Sequence, residues 1–441
     1  MRTDRGFYRS HKKFLLFLVS QTVSQMGSAM TGLAVVIWAY SGTGQVMASS
    51  LLAVCSTLPY LIVSLFGGAA ADHMNKKKIM LICDMAAAAG SLILLLCASF
   101  QILELWILCV VNVINGLMNA FQGPAFQVSV TLLLEKENYA KAGGFQSVLG
   151  AVSGLLSPIL AAALLGFGGL QLVLAVDLAT FAFAFFVLLL FIRIPDRAGE
   201  GAGTGSDGLR KSMKTAVDYL RGQKSILLLL IMYSVLEFLG AISFDSMYSP
   251  LLLARTGNNE SVVGIVSSVA AAGGLCASLW MSLAKQPKEK LRVMFGGSVM
   301  CLSGILLFGM GRSLAWWCIV VFIGCFGSPV YQTYQTVLLR ERVPVSMQGR
   351  IFSLQGMITS GLTPLGCLAG AALADYIFEP YMRDAEAVPE ILVRLVGYGD
   401  GAGMGLMFLL AGAAGIVVCI LVSRNPGIRG LEDENQEKRR G

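Results

Sequence analysis

Long apolar runs follow one another along this chain, separated by short polar breaks. They cover 14–40, 47–70, 77–99, 104–128, 143–168 and 170–193 and, after a gap, 226–253, 261–284, 292–311, 314–338, 351–375 and 403–423. A helix crossing about 30 Å of hydrocarbon needs about 20 apolar residues at a rise of about 1.5 Å each. The pattern therefore predicts an all-α integral membrane protein with twelve transmembrane helices. The first run is too long for the apolar core of a cleaved signal peptide, about 7–15 residues, so it reads as a retained span.

The gap after the sixth run opens with Ile194-Pro195-Asp196, continues through a Gly/Ser-rich stretch at 199–208 and turns basic and weakly amphipathic up to Tyr219. Such a segment reads as a flexible linker followed by an interfacial helix. It divides the chain into a six-helix bundle at 1–198, a cytoplasmic linker at 199–225, a second six-helix bundle at 226–425 and a cytoplasmic tail at 426–441. A polar stretch at 376–402 predicts a further short interfacial helix at 389–398. The halves resemble each other: Pro124, Gln127 and Thr131 recur as Pro329, Gln332 and Thr336, and Ser153-Gly154-Leu155 with Pro158 recurs as Ser360-Gly361-Leu362 with Pro364. A same-sense repeat of six spans relates the halves by an axis along the membrane normal, as in one large class of transporters.

Composition narrows the class. Hydrophobic residues make up 56% of 441 and charged residues 13%, about half the roughly 25% of soluble domains; mean hydropathy is +0.71. A water-soluble globule could not cover that much apolar surface, and a disordered chain needs the opposite balance. The net charge of +7 has a topological origin. With both termini in the cytoplasm, 29 of the 33 Lys and Arg fall on inside segments, leaving Arg255, Arg312, Arg383 and Arg394 outside. The positive-inside rule then fixes the orientation and removes nucleic acid as the explanation of the charge. Cys55, Cys83, Cys97, Cys109, Cys276, Cys301, Cys318, Cys325, Cys367 and Cys419 all lie in apolar runs without a CxxC pair and read as small buried hydrophobes.

The loop after the second run reads Gly67-Gly68-Ala69-Ala70-Ala71-Asp72-His73-Met74-Asn75-Lys76-Lys77-Lys78. Gly68 permits close approach of helices, Asp72 places a carboxylate where a neighbouring helix N-terminus can face it, and the lysines suit anionic headgroups; a plain basic turn is the alternative. Gly68, Asp72, Lys76 and Lys77 match the signature Gly-x-x-x-Asp-Arg-x-Gly-Arg/Lys-Arg/Lys of the major facilitator superfamily, which the chain resembles throughout in span order. Leu58-Pro59-Tyr60, Ala71-Asp72-His73, Lys77-Lys78-Ile79-Met80, Asp84, Phe121 with Pro124-Ala125, and Gly349-Arg350 with Phe352-Ser353-Leu354 resemble its macrolide-efflux, drug:proton antiporter branch. The resemblance implies the major facilitator fold and a gating latch formed by Gly68, Asp72, Lys76, Lys77 and Lys78 with Arg350 at the start of span 11. His73 and Asn75 depart from the signature; Asn75 stands where the family has Gly, and Asn tolerates the left-handed conformation that Gly supplies. Asn115 occupies the span-4 position where proton-coupled drug exporters carry Arg, and Ser157-Pro158 stands for the antiporters' Gly-Pro.

Ionisable groups inside spans cost about 2.5–3.5 kcal/mol at a helix centre on insertion scales and mark candidate sites. Glu237 lies near the middle of span 7 on a face with Tyr233 and Phe244; it reads either as a proton or cation site or as a neutral acid hydrogen-bonded between helices. Asp84, six residues after Lys78, reads as a partner of the inside lysines or Arg350, or as a transport residue. Asp177 reads as a hydrogen-bonding or capping group, or as a transport residue, and Asp245 as a wet group nearer the outside. Span 4 carries Asn112, Asn115, Asn119 and Gln122 within about 80° of arc at 100° per residue, and span 1 carries Gln21, Ser24, Gln25 and Ser28. Polar stripes in a lipid-spanning helix must face a cavity or another helix. Spans 1, 4, 7 and 10 line the central cavity of the superfamily, and span 10 offers Tyr331, Gln332, Tyr334 and Gln335. The candidate cavity liners are thus Gln21, Gln25, Asn115, Asn119, Gln122, Tyr331 and Gln335. Pro158 and Pro364 are candidate hinges.

No GxxxxGK[ST] loop or HExxH motif occurs, and the only histidines are His11 and His73. The expectation is a non-enzymatic, monomeric secondary transporter in the cell membrane, exporting amphipathic drug-like compounds, macrolides among them, by proton-coupled alternating access. No resident cofactor or metal is expected, and the proton gradient supplies the energy. The alternatives are a metabolite transporter and a non-transporting membrane scaffold or sensor.

Overall fold

The computed structural model describes residues 12–73, 75–133, 139–194, 218–284, 287, 289–383 and 388–428, with backbone alone at 65–73, 139–142, 345–350 and 353. The described elements are helical, with no strand among them. In order they are α1 (Lys12–Thr43), α2 (Val46–His73), α3 (Lys76–Ser99), α4 (Leu105–Leu132), α5 (Tyr139–Leu190), α6 (Lys224–Gly240), a π-helical turn (Ala241–Asp245), α7 (Ser246–Thr256), α8 (Glu260–Leu283), α9 (Lys290–Phe308), α10 (Leu314–Arg342), α11 (Val345–Leu373), a second π-helical turn (Ala374–Phe378), α12 (Glu379–Arg383), α13 (Glu390–Val396) and α14 (Ala402–Ser423). The short α13 lies within the segment expected to hold an interfacial helix.

Eleven helical segments among the described residues are long and apolar enough to cross a membrane. One of them, Gly143–Leu190, has 48 residues, about 70 Å at the α-helical rise and more than twice the hydrocarbon thickness. Its backbone leaves helical geometry at Gly168 (φ −145°) and at Gly169 (φ +64°, ψ −166°). Gly169 adopts a conformation open to a residue without Cβ, and each flank is long enough for one crossing. The architecture thus accords with twelve crossings.

The chain divides into two compact units, one holding α1–α5 and the other α6–α14, with Gln45–Ser50 at the start of α2 going with the second. In the first unit α1 packs on α5, and α3 packs on both α4 and α5. Phe14, Phe17 and Leu18 of α1 meet Ile79, Met80 and Cys83 of α3, Ala125 of α4 and Leu188 of α5 in one core cluster. Gly116 of α4 lies so close to α2 that a Cβ there would sit 2.1 Å from the Ser56 carbonyl oxygen.

Glycine contacts also set the second unit. A Cβ on Gly304 of α9 would fall 2.5 Å from Cα of Gly324 on α10, and one on Gly297 would fall 2.9 Å from the Tyr331 amide nitrogen. Small residues at such crossings let backbones approach where lipid supplies no hydrophobic drive. At one end of this unit Arg255 donates to the carbonyls of Gly311, Val396 and Gly401. Glu379 accepts from the amides of Gly401 and Met404. Asp375 caps the first turn of α2, accepting from Val46 N at 3.0 Å and Met47 N at 2.8 Å.

Candidate functional site

All five cavity candidates of the first unit lie on one wall system. Gln21 and Gln25 of α1 and Asn115, Asn119 and Gln122 of α4 line a cavity of about 770 Å³. The stripes face this cavity because no polar side chain gains anything from acyl chains. The hydroxyls between the amides are spent on their own helix: Ser20 donates to Phe17 O, Thr22 to Leu18 O and Ser28 to Ser24 O. The amides remain to face the space or the residues behind it.

Behind Gln122 stands Asp84, 1% exposed. Gln122 Nε2 donates to its Oδ1 at 2.7 Å, and Gln21 lies beside the same carboxyl. This corrects the expectation that Asp84 pairs with the nearby lysines. Lys77 turns the other way and donates to the carbonyls of Leu189 at 3.0 Å and Ile192 at 2.7 Å. Asn75 is also not left-handed: at φ −62° it caps α3, accepting from Lys78 N through its side chain. Lys76 is buried. The remaining members of the expected latch, Gly68, Asp72 and Arg350, have side chains outside the described residues.

A second buried carboxyl, Asp177, joins three helical segments of the first unit. Its Oδ2 accepts from Thr31 Oγ1 at 2.9 Å and Ser91 Oγ at 2.8 Å, the hydrogen-bonding position expected from sequence.

The second unit holds a smaller cavity of about 260 Å³. Glu237, Phe244, Asp245, Tyr331 and Gln332 line it, among mostly apolar neighbours. Tyr331 Oη donates to Glu237 Oε1 at 2.6 Å. Tyr233 lies beside the same carboxyl, and its ring centroid lies 6.0 Å from that of Tyr331. Glu237 therefore sits between two phenols. Asp245 is exposed on the wall of this cavity. The π-helical turn Ala241–Asp245 follows Glu237 by four residues, and Gly370 of α11 packs against it so closely that a Cβ would lie 2.2 Å from Ile242 O. Nothing in span 7 itself announces this turn; the signal is the glycine pair Gly366 and Gly370 on another helix. Gln335, one turn past Tyr331, is 2% exposed and lies off the wall of this particular cavity.

Pro158 and Pro364 lie inside α5 and α11. Beside them Ser157 donates back to Ser153 O at 2.7 Å, and Thr363 to Thr359 O at 3.1 Å. Back-bonding hydroxyls of this kind bend helices and accompany the amide that proline lacks.

Two units of long apolar helices, one with an amide-lined cavity and one with a largely apolar cavity that holds a carboxyl, have the architecture of a polytopic membrane transporter. The family model of the Major Facilitator Superfamily matches residues 17–366, and the chain belongs to that superfamily. It is similar to macrolide efflux protein A of Streptococcus pyogenes, 26% identical over 368 residues that cover 83% of this chain and 90% of the relative. The protein of the same name from Enterococcus faecalis is 26% identical over 328 residues, covering 74% and 99%. Among solved structures, the nucleoside transporter NupG is similar at 13% identity, covering 93% of this chain and 98% of its own, with a TM-score of 0.65. That likeness concerns the fold.

Proposed function

We propose that this superfamily transporter exports amphipathic, macrolide-like compounds, exchanging them for protons bound at Glu237. The observation that carries the reading is the Tyr331–Glu237 hydrogen bond of 2.6 Å on the wall of a largely apolar cavity. Glu237 thus places an ionisable carboxyl, held by a phenol donor, in a largely apolar wall, and ionisable groups inside spans mark ion and proton pathways. The first unit contributes amides: Gln21, Gln25, Asn115, Asn119 and Gln122 offer donors and acceptors without charge. Neither cavity wall holds a Lys or Arg among the described residues. That lining favours large neutral or cationic amphipaths over small anionic metabolites, which need a compact cationic clamp.

In this reading the protein works as a monomer in the cell membrane with both termini in the cytoplasm. Asp72 and Lys76–Lys78 act with Arg350 as the gating latch, Pro158 and Pro364 as bending points, and the proton gradient takes the place of a cofactor. Everted membrane vesicles challenged with erythromycin and a panel of other amphipaths test it while internal pH is followed. Export predicts substrate accumulation with proton efflux from the vesicles. A vesicle that accumulates a nucleoside or sugar and ignores the amphipaths would overturn the substrate class.

A further inference from the structure

We propose that Asp177 is a second reversible proton site, held in the first unit and independent of Glu237, which adds a bound proton to the exchange cycle and so rests on the proton-coupled reading. Asp177 is 1% exposed. Thr31 of α1 and Ser91 of α3 donate to one oxygen, Oδ2, at 2.9 and 2.8 Å. The other oxygen, Oδ1, is buried and has no hydrogen-bond partner among the described residues. The carboxyl lies on the wall of the amide-lined cavity together with Thr31, Ser28, Ser91 and Asn115. A buried carboxyl oxygen left without a partner calls for an explanation beyond a tie between helices.

No counter-charge acts on Asp177 among the described residues. The groups acting on Asp177 are Ser91 and Thr31, both neutral. On α1 the titratable and charged side chains are Lys12 and Lys13 at its start and Tyr40 near its far end; on α3 they are Lys76, Lys77, Lys78, Cys83, Asp84 and Cys97. Asp84 precedes Ser91 by seven residues, about 10 Å along the helix, and has its own donor in Gln122. On α5 the others are Tyr139 and Lys141 at its first turn. A permanent full charge in that setting is costly, and a proton removes it.

The occupant is a proton and not a metal cation. A Cβ on Gly27 of α1 would lie only 2.7 Å from Oδ1, so there is little room beside that oxygen for further ligands. A proton takes no volume, whereas a metal ion needs several oxygen ligands around it. The step is a single O–H bond formed between the carboxylate and a proton delivered through cavity water; release breaks that bond and returns the proton to water.

Infrared difference titration of the full-length protein in proteoliposomes reads this directly. A protonated-carboxyl band that disappears on raising pH is expected in the wild type and in E237Q, and is expected to be missing in D177N and restored, displaced, in D177E. The T31V/S91A double variant should move the band in frequency, because its donors are those two hydroxyls. A D177N titration identical to wild type, a band present at every pH, or a band removed by Na⁺ at fixed pH would overturn the proposal. Should D177N not fold, an unmoved band in T31V/S91A overturns it equally. Failure of the coupling role of Glu237 would appear as normal pumping by E237Q and would leave these spectra unchanged.

Discussion

Tyr331 on α10 donates its phenolic hydrogen to Oε1 of Glu237 on α6 at 2.6 Å, joining two helices of the second unit across a cavity. A hydrogen bond to a charged group contributes about 1.5–3 kcal/mol, or roughly 10- to 100-fold in a rate that depends on it. Y331F removes the donor and keeps the ring. We expect the initial rate of erythromycin uptake into everted vesicles to fall by at least about 10-fold on that scale, with the protein still folded and expressed. Unchanged uptake would mean that the contact is only structural.

Asp84 gives a prediction about folding. Its Oδ1 accepts from Gln122, so Q122A leaves a buried carboxyl short of one donor, at a cost of about 1–3 kcal/mol. D84N keeps an acceptor for Gln122 and is expected to cost less. Thermal denaturation in detergent should therefore place D84N above Q122A. The reverse order would return Asp84 to a partner other than Gln122.

The cavity stripes of α1 and α4 are legible in the sequence because lipid forbids exposed amides, and periodicity alone then says which face is wet. The same logic does not separate Tyr331 from Gln335. They are one turn apart on α10, yet Tyr331 lines the second unit's cavity while Gln335 lies off its wall. Sequence points Asp84 toward the lysines ahead of it because proximity along the chain is visible and proximity to Gln122 is not. Asn75 looks like a left-handed stand-in for glycine; its side-chain oxygen instead takes the free amide of Lys78 and makes a helix cap. The π-helical turn after Glu237 is packed closely by Gly366 and Gly370 of α11, which no local pattern in span 7 contains.

Arg255 should dominate stability at its end of the second unit. It holds three carbonyls on separate segments, those of Gly311, Val396 and Gly401. R255Q is expected to cost about 3 kcal/mol or more, from lost charge-assisted bonds and bare carbonyls. The exposed Arg383–Asp400 pair at 2.9 Å should matter little, with D400N costing under about 1 kcal/mol. Comparing the two melting shifts checks the ranking; equal shifts would contradict it.

Glycine positions make a paired prediction. Gly304 has Cα of Gly324 where a Cβ would go, at 2.5 Å, whereas nothing lies within 4 Å of a Cβ at Gly150. G304L should destabilise by about 1–3 kcal/mol through overpacking. G150A should be neutral or stabilising by about 0.5–1 kcal/mol, as helix propensity dictates. Melting temperatures of the purified variants decide it, and a tolerated G304L would mean that α9 and α10 do not cross at that glycine pair.

The most direct measurement of proton-coupled export is made on E237Q in proteoliposomes with erythromycin. An imposed pH gradient should drive much less accumulation in the variant than in the wild type, while exchange of labelled for unlabelled erythromycin without a gradient proceeds in both. Gradient-driven accumulation by E237Q at the wild-type level would contradict the account.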